Sequence, residues 1–396
     1  MDHALIIDAV RTPRGRGNAK GALHGLSPVE LLATPLRALA GRHGFDPAAL
    51  ADTVIGCVTQ TGEQGANIAR LALLAAGYGD AATGISINRY CASGLSAVRL
   101  AALQAMADDG LAIGGGVESM SRVPMAADKG PLTHDFDLQR ALRLVPIGLA
   151  ADAVASIEGF DRTACDAYAA QSQARALAAR DSGAFASLVP LPGLLETDET
   201  PRPGTSTESL AALQPAFAEM GAKYGIDALL CKAYGLEAMA HVHHAGNSPA
   251  MADGASAVLL ASPGAARRHG LKPRARILAS AECAMDRTLA LTGAVDATRA
   301  ALTRAGLGVD DVDLFEVNES FAALMLHYMK HMGVPAERLN VQGGAIALGH
   351  AMGSTGAALL GTALDALEAR GGRRAVISLC GAAGLASAMV IERCAP

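Results

Sequence analysis

The sequence contains no tryptophan, and aromatic residues make up only 3% of it, which removes the stacking platforms on which single-stranded nucleic acid is usually held. It also has no excess of positive charge. With 33 Lys and Arg against 38 Asp and Glu the formal net charge is -5, so neither nucleic acid nor an anionic membrane surface is an expected partner. Any anionic ligand has to be met by local basic residues. No apolar run reaches the about 18 residues of a membrane span before a Gly, Asp or Arg interrupts it. The seven cysteines are odd in number, scattered and without a close CxxC pair, so neither a disulfide framework nor a zinc site is indicated. Met1 to Arg16 reads as a strand followed by a basic turn, without the apolar core or cleavage site of a signal peptide. A cytoplasmic location is expected.

What is present is a chain of 396 residues, 51% hydrophobic and 18% charged, long enough for several packed layers and far from the disordered regime. Short β-rich runs alternate with helical patterns. Ala4 to Asp8, Asp52 to Val58 and Gly84 to Asn88 read as strands, with a helix from about Pro28. After Asn88 a helix carries Leu95, Val98, Ala102, Leu103 and Met106 at helical spacing and leads into a buried strand from Leu111 to Val117. The style recurs from about Arg274: strand Arg276 to Ala279, helix Val295 to Ala305, strand Val312 to Val317, helix from Ser320, a glycine-rich segment, helix Ser354 to Arg370, strand Ala375 to Cys380. The order predicts an α/β fold of two similar halves. The expected division is 1–120 plus 250–272 for the first half and 273–396 for the second, with 121–249 as an inserted loop or cap domain. Such insertions beside a rigid scaffold often hold ligands.

Four stretches carry reactive residues. In the run from Ser86 to Leu95 (Ser-Ile-Asn-Arg-Tyr-Cys-Ala-Ser-Gly-Leu), Cys91 falls where a strand passes into the first turn of a helix. Exposed N–H groups and the helix dipole there favour thiolate over thiol, so a lowered pKa is expected, and the same N–H groups can hold an oxyanion. On position alone a buried cysteine acting as a small hydrophobe is the competing reading. In the run Asn340 to Gly356, His350 sits in a glycine-rich turn just before a helix, with room to take a proton from a nearby thiol. In Ile377 to Gly384, Cys380 lies at the carboxyl end of a strand, where open α/β sheets place their crevices. In Glu316 to Ala322, Asn318 ends a strand and reads either as a site amide or as a helix cap.

Together with the tracts Asp8 to Pro13 (Asp-Ala-Val-Arg-Thr-Pro), Gly115 to Ser121, Ala245 to Ser248 and Asp253 to Ala255, these motifs resemble the thiolase family over nearly the whole chain. The resemblance implies a five-layered αβαβα fold of two repeated halves with an inserted loop domain, assembled as a homodimer or homotetramer. It implies an acyltransferase of fatty acid metabolism, of the β-oxidation type, with no permanently bound cofactor and coenzyme A as co-substrate. By that resemblance Cys91 attacks the 3-keto carbon of a 3-ketoacyl-CoA and forms an acyl thioester while His350 accepts its proton. Cys380 protonates the departing acetyl-CoA enolate, and free CoA collects the acyl group. Run backwards, the same groups condense two acyl-CoAs. His350 and a water on Asn318 form the enolate site, the N–H groups of Cys91 and Ala382 hold the thioester oxygen, and pantetheine lies near Ala245, Gly246, Ser248 and Phe321.

The sequence departs from the family pattern at several places. Ala351 follows His350 where Pro is usual, Ser320 follows Asn318-Glu319 where Ala is usual, and Ala382-Ala383 replace glycines, Ala382 taking positive φ less readily than Gly. Pro249 and Gln214 stand where CoA-contacting residues often occur. Residues 218–241 add a stretch that reshapes the region before Ala245. A dedicated acetoacetyl-CoA-forming enzyme, a silent CoA or lipid carrier on the same fold, and a decarboxylating condensing enzyme remain as alternatives. His241, His243 and His244 lack carboxylate company in sequence, so no metal is expected. Arg11, Arg14 and Arg16 match no nucleotide loop and read as a solvated turn. Cys57, Cys165, Cys231, Cys283 and Cys394 read as residues without a role.

Overall fold

The computed structural model describes residues 3–394. Ten strands build the framework: β1 Leu5–Arg11, β2 Gly15–Arg16, β3 Leu50–Gly56, β4 Ile85–Ile87, β5 Leu111–Ser119, β6 Ala252–Ala261, β7 Ala275–Ala284, β8 Leu314–Val317, β9 Arg374–Cys380 and β10 Leu385–Arg393. They follow the path β4-β3-β5-β6-β1-β7-β10-β9-β8, with β2 on β6. The path is two arms of matching order. From its inner strand, each arm runs through two antiparallel pairings (β1-β6-β5 and β7-β10-β9) to a parallel one (β5-β3 and β9-β8). The arms meet through Leu5↔Arg276 and Ile6↔Ala275.

The helices that matter for the site are α1 Pro28–His43, α2 Ile68–Ala75, α3 Ser93–Ala107, α4 Ile147–Glu158, α5 Arg162–Asp181, α6 Ala294–Ala305, α7 Ala322–Met332 and α8 Met352–Arg370. Local chemistry sets their ends. Ser27 caps α1 by accepting from the Glu30 N–H, Pro28 opens its first turn, and Gly44 closes it at φ 61°. Helices α3 and α8 lie between the two arms and touch strands of both, α1 and α2 cover the outer face of the first arm, and α6 covers that of the second. The result is the five-layered αβαβα order.

The middle layer explains the small residues of the sequence. Every residue of α8 from Met352 to Leu367 is buried, because this helix has neighbours on all sides. A methyl group at Gly356 would stand 2.2 Å from the Leu95 backbone nitrogen, and one at Gly94 would stand 2.6 Å from the Gly353 carbonyl oxygen. Only glycine allows α3 and α8 to approach that closely. The apolar faces of both helices then pack in one core with Val54, Ala112 and Val258 of the first arm and Ile377, Met389 and Ile391 of the second.

The expected strands and helices are all found, with ends shifted by a few residues; the helix expected from Ser320 begins at Ala322. Residues 121–249 carry regular helices, α4 and α5 among them, as well as loops.

Candidate active site

Four of the expected reactive residues stand at one end of the layered framework. Cys380 is the last residue of β9, and Asn318 follows β8, its N–H donating to the Ser378 carbonyl at 2.9 Å. Cys91 precedes α3, and His350 precedes α8. The pairing of α3 with α8 therefore brings the Cys91 and His350 segments together, and the parallel pairing of β8 with β9 does the same for Asn318 and Cys380. The turn after Cys380 then meets the Cys91 loop: a methyl on Gly381 would lie 3.2 Å from the Arg89 oxygen and 3.5 Å from Tyr90 Cβ.

The Cys91 loop is a braced elbow. Tyr90 has φ 49°, a left-handed conformation that costs a bulky residue on the order of 1–3 kcal/mol unless its surroundings hold it. Asn88 Oδ1 accepts from the Tyr90 N–H at 2.8 Å, and the Ser93 hydroxyl accepts from the Arg89 N–H at 2.8 Å while donating to the Tyr90 carbonyl at 2.5 Å. These bonds turn Cys91 out of the chain direction and leave it half-buried. The expected lowering of its pKa is not found. Burial, then the nearby Cys380 sulfur and the Glu118 carboxylate, push the Cys91 thiol up to about 12, outweighing its own N–H. Burial disfavours the charged form of the thiol.

His350 is buried, and its network fixes the tautomer. The Thr355 hydroxyl donates to the Ala351 carbonyl at 3.2 Å, so it accepts from His350 Nδ1–H at 2.8 Å. Nε2 then carries the lone pair, and it has no protein partner. Burial and the Arg14 guanidinium lower the imidazole to about 3, so at neutral pH the ring is an uncharged acceptor. The resting pair is thiol and neutral imidazole.

Cys380 is 2% exposed, and burial raises its thiol to about 11 against the opposing hydrogen bond of Ser320. Ser320 Oγ lies 2.9 Å from Cys380 Sγ and accepts from Asn318 Nδ2 at 3.1 Å. The serine that departs from the family pattern is thus a link between amide and thiol. Asn318 is not the helix cap, since α7 begins at Ala322 with Phe321 in the cap position. The strain expected at Ala382 falls one residue on, at Ala383, which has φ 55°.

Residues that sequence reasoning passed over hold these groups in place. Glu118, fully buried, accepts from the N–H groups of Val58, Thr59 and Gly353 and from Gln64 Nε2, at 2.9–3.1 Å. It ties β5 to the first turn of α8. Glu319 accepts from Tyr168, Ser172 and the Ile346 N–H at 2.7–3.0 Å, fastening the Asn318 turn to α5 and to the loop before His350. Both sit inside the tracts that carry the resemblance, Glu319 directly after Asn318.

The expected pantetheine residues share one region. The Ala322 N–H donates to the Asn247 carbonyl at 3.1 Å, so Phe321 lies against the loop of Ala245, Gly246 and Ser248. Ala245 is exposed, and Ser248 Oγ is buried without a protein partner. Two expectations fail nearby. The three histidines do have carboxylate company: Asp152 takes His241 and His243 at 3.0 and 2.7 Å, Asp227 takes the other face of His241 at 3.2 Å, and Asp166 takes His244 at 2.8 Å. Asp152 and Asp166 come from distant parts of the chain and Asp227 from 14 residues away, separations that spacing does not reveal. Of the three arginines expected in a solvated turn, Arg16 is exposed but Arg11 and Arg14 are not. Arg11 and Arg14 are 1% and 3% exposed, and Arg11 forms a two-pronged pair with Asp198 at 2.7 and 2.8 Å.

Comparison with known proteins finds one family over most of the chain. Residues 4–228 match the family model described as thiolase, N-terminal domain, and residues 271–393 match that described as thiolase, C-terminal domain. A β-ketoadipyl-CoA thiolase of Pseudomonas aeruginosa is 38% identical over 98% of both chains. A 3-ketoacyl-CoA thiolase of Escherichia fergusonii is 37% identical over 99% of this chain and all of its own. The crystal structure of the Bacillus anthracis acetyl-CoA acetyltransferase superposes with a TM-score of 0.85 at 30% identity, covering 100% of this chain and 99% of the other.

Proposed function

The chain belongs to the thiolase family of acyltransferases, and from that premise we propose that it cleaves 3-ketoacyl-CoA with free CoA, and runs the reverse condensation, through an acyl group on Cys91. As Cys91 attacks the 3-keto carbon, its proton passes to Nε2 of His350, the one ring nitrogen with a free lone pair. Transfer in step with attack is required, because the site favours neither charged partner at rest. Breaking the carbon–carbon bond leaves an enolate that Cys380 protonates. The Cys91 and Ala382 N–H groups hold the thioester oxygen, and His350 with Asn318 serves the enolate. The thiol of CoA then takes the acyl group from Cys91, its pantetheine lying along Ala245, Gly246, Ser248 and Phe321.

What supports this reading above all is the meeting of two thiols and a lone-pair imidazole at one end of the framework. One thiol with one base suffices for acyl transfer, whereas carbon–carbon cleavage adds the need for a second acid/base group at the α-carbon, the role we give Cys380. The relatives are named for 3-ketoacyl-CoA and for β-ketoadipyl-CoA, and we place the substrate among 3-ketoacyl-CoAs of these kinds. A homodimer or homotetramer in the cytoplasm belongs to the same proposal, as does the division 1–120 plus 250–272, 121–249 and 273–396. No helix among the described residues is long and apolar enough to cross a membrane.

The test supplies acetoacetyl-CoA, longer 3-ketoacyl-CoAs and 3-oxoadipyl-CoA with free CoA and follows loss of the 3-keto thioester. At least one is cleaved, and trapping without CoA leaves acyl mass on Cys91. No cleavage of any of them, with no acyl mass, refutes the proposal.

A further inference from the structure

Away from the catalytic end, α7 carries His327 and His331, four residues apart and therefore on one face of the helix. Their rings lie 4.2 Å apart between centroids. Both point at a single oxygen of Glu158, the last residue of α4: His327 Nδ1 is 2.8 Å and His331 Nε2 2.7 Å from Oε1. The other oxygen, Oε2, accepts from Lys330 Nζ at 2.8 Å. We propose that His327, His331 and Glu158 form a binding site for a divalent transition-metal ion of the zinc type, which clasps α4 to α7.

The donor set is two imidazoles and one carboxylate, a combination that zinc takes with a fourth position left for water. The three ligand atoms lie within 4.8 Å of one another. A tetrahedral zinc at about 2.0–2.1 Å from each needs ligand atoms roughly 3.3 Å apart, so the imidazoles draw back from Oε1 by roughly half an ångström to admit it. Lys330 keeps Oε2 and orients the carboxylate, as partners of metal-bound carboxylates do. Glu158 and His327 are nearly sealed, with side chains 10% and 13% exposed, while His331 at 39% leaves an entrance.

Charge also suits a cation. Burial works against the Glu158 carboxylate, but hydrogen bonds from Lys330, His331 and His327 hold it at about 2, so it is ionised at neutral pH. Burial lowers His327, and the His331 ring adds to this while Glu158 and Asp296 oppose it. The cluster is thus a carboxylate, a ring kept below its ordinary range, Lys330 as the cation on Oε2 and Asp296 beside His327. An entering ion takes the place of the hydrogen that each ring directs at Oε1. In a neutral ring that proton moves to the other nitrogen, and a charged ring releases one to solvent.

Helix α4 belongs to the inserted region and α7 begins just after Asn318-Glu319-Ser320-Phe321, so the ion would fix the insertion to the helix that carries the site turn. The test titrates the full chain, stripped with a chelator, with Zn2+ alone and then with Co2+, at pH 7.5. Cys91→Ser serves as a control because thiolates also bind zinc. The wild type and Cys91→Ser are expected to bind one Zn2+ with a rise in Tm, and Co2+ gives a spectrum without a sulfur-to-cobalt band. His331→Asn, at the entrance, and Glu158→Gln, an isosteric change at the nearly sealed carboxylate, weaken this binding by at least about tenfold and lose the Tm response. Absence of saturable Zn2+ binding overturns the proposal. So does binding that survives both substitutions, or binding that disappears with Cys91.

Discussion

Replacing Ser320 by Ala removes the hydroxyl 2.9 Å from Cys380 Sγ and, with it, the acceptor of the Asn318 amide. Because Asn318 Nδ2 donates to the serine oxygen, the hydroxyl proton is free to point at sulfur. A hydrogen bond to a charged acceptor contributes about 1.5–3 kcal/mol against about 1 kcal/mol for a neutral one. Losing it disfavours thiolate over thiol by about 1 kcal/mol, a little under one pK unit. Burial already holds the Cys380 thiol at about 11 and Ser320 opposes that, so Ser320→Ala raises it further. Condensation needs the thiolate as base, and at neutral pH its population falls by about fivefold. The stronger base recovers about half of this on a logarithmic scale, leaving a fall of roughly two- to threefold in kcat/KM. Microscopic reversibility demands the same fall for cleavage. The assay follows acetyl-CoA condensation across pH beside exchange of labelled CoA into acetyl-CoA, which needs only Cys91 and His350. Condensation slows, the ascending limb of its pH profile moves to higher pH, and exchange stays as it was. An unmoved limb, or exchange that slows equally, refutes a hydrogen bond from Ser320 to the thiolate.

Three further perturbations separate chemistry from scaffold. Cys380→Ser keeps acyl transfer to Cys91 within a few-fold while carbon–carbon bond formation collapses by at least about a hundredfold; equal loss of both half-reactions, measured by CoA exchange and condensation, contradicts separate roles for the two thiols. Asp198→Ala leaves the fully buried Arg11 unpaired and costs about 3–5 kcal/mol in urea unfolding, whereas a loss below 1 kcal/mol shows that the pair is not what holds the 196–202 loop to β1. Gly116→Ala puts a methyl 1.9 Å from the Gly353 carbonyl oxygen, so it displaces the first turn of α8 and lowers kcat by at least about a hundredfold; a fully active Gly116→Ala enzyme means that the two backbones are not so close.

The sequence made the outer plan of the fold legible because most strands are apolar and most helices periodic. Two central strands were not recognised. β6, with Ala, Gly and Ser at six of its ten positions, is buried at every residue, so it shows neither alternation nor β-branched enrichment. β10 mixes Ala and Ser with its apolar residues in the same way and lies between β7 and β9. At the candidate site, Cys91, His350, Cys380 and Asn318 stood out because each sits at a strand or helix end, the first three with small residues following. Ser320, Thr355, Glu118 and Glu319 were not, since their roles depend on contacts between distant segments. The state of Cys91 was misjudged for a related reason: a helix terminus can be read from sequence, but the burial that raises the thiol needs the packed layers. Arg14 shows the same limit, reading as a surface cation while lying buried beside Gly254 and Ala351.

The most direct measurement is intact mass followed by peptide mapping of the chain mixed with a 3-ketoacyl-CoA that it cleaves, quenched before CoA is added, for wild type and Cys91→Ala. One acyl group per chain on the peptide that contains Cys91, absent from the Cys91→Ala protein and removed by CoA, is the predicted result. Acyl mass on another residue, or cleavage that continues undiminished without the Cys91 sulfur, would contradict it.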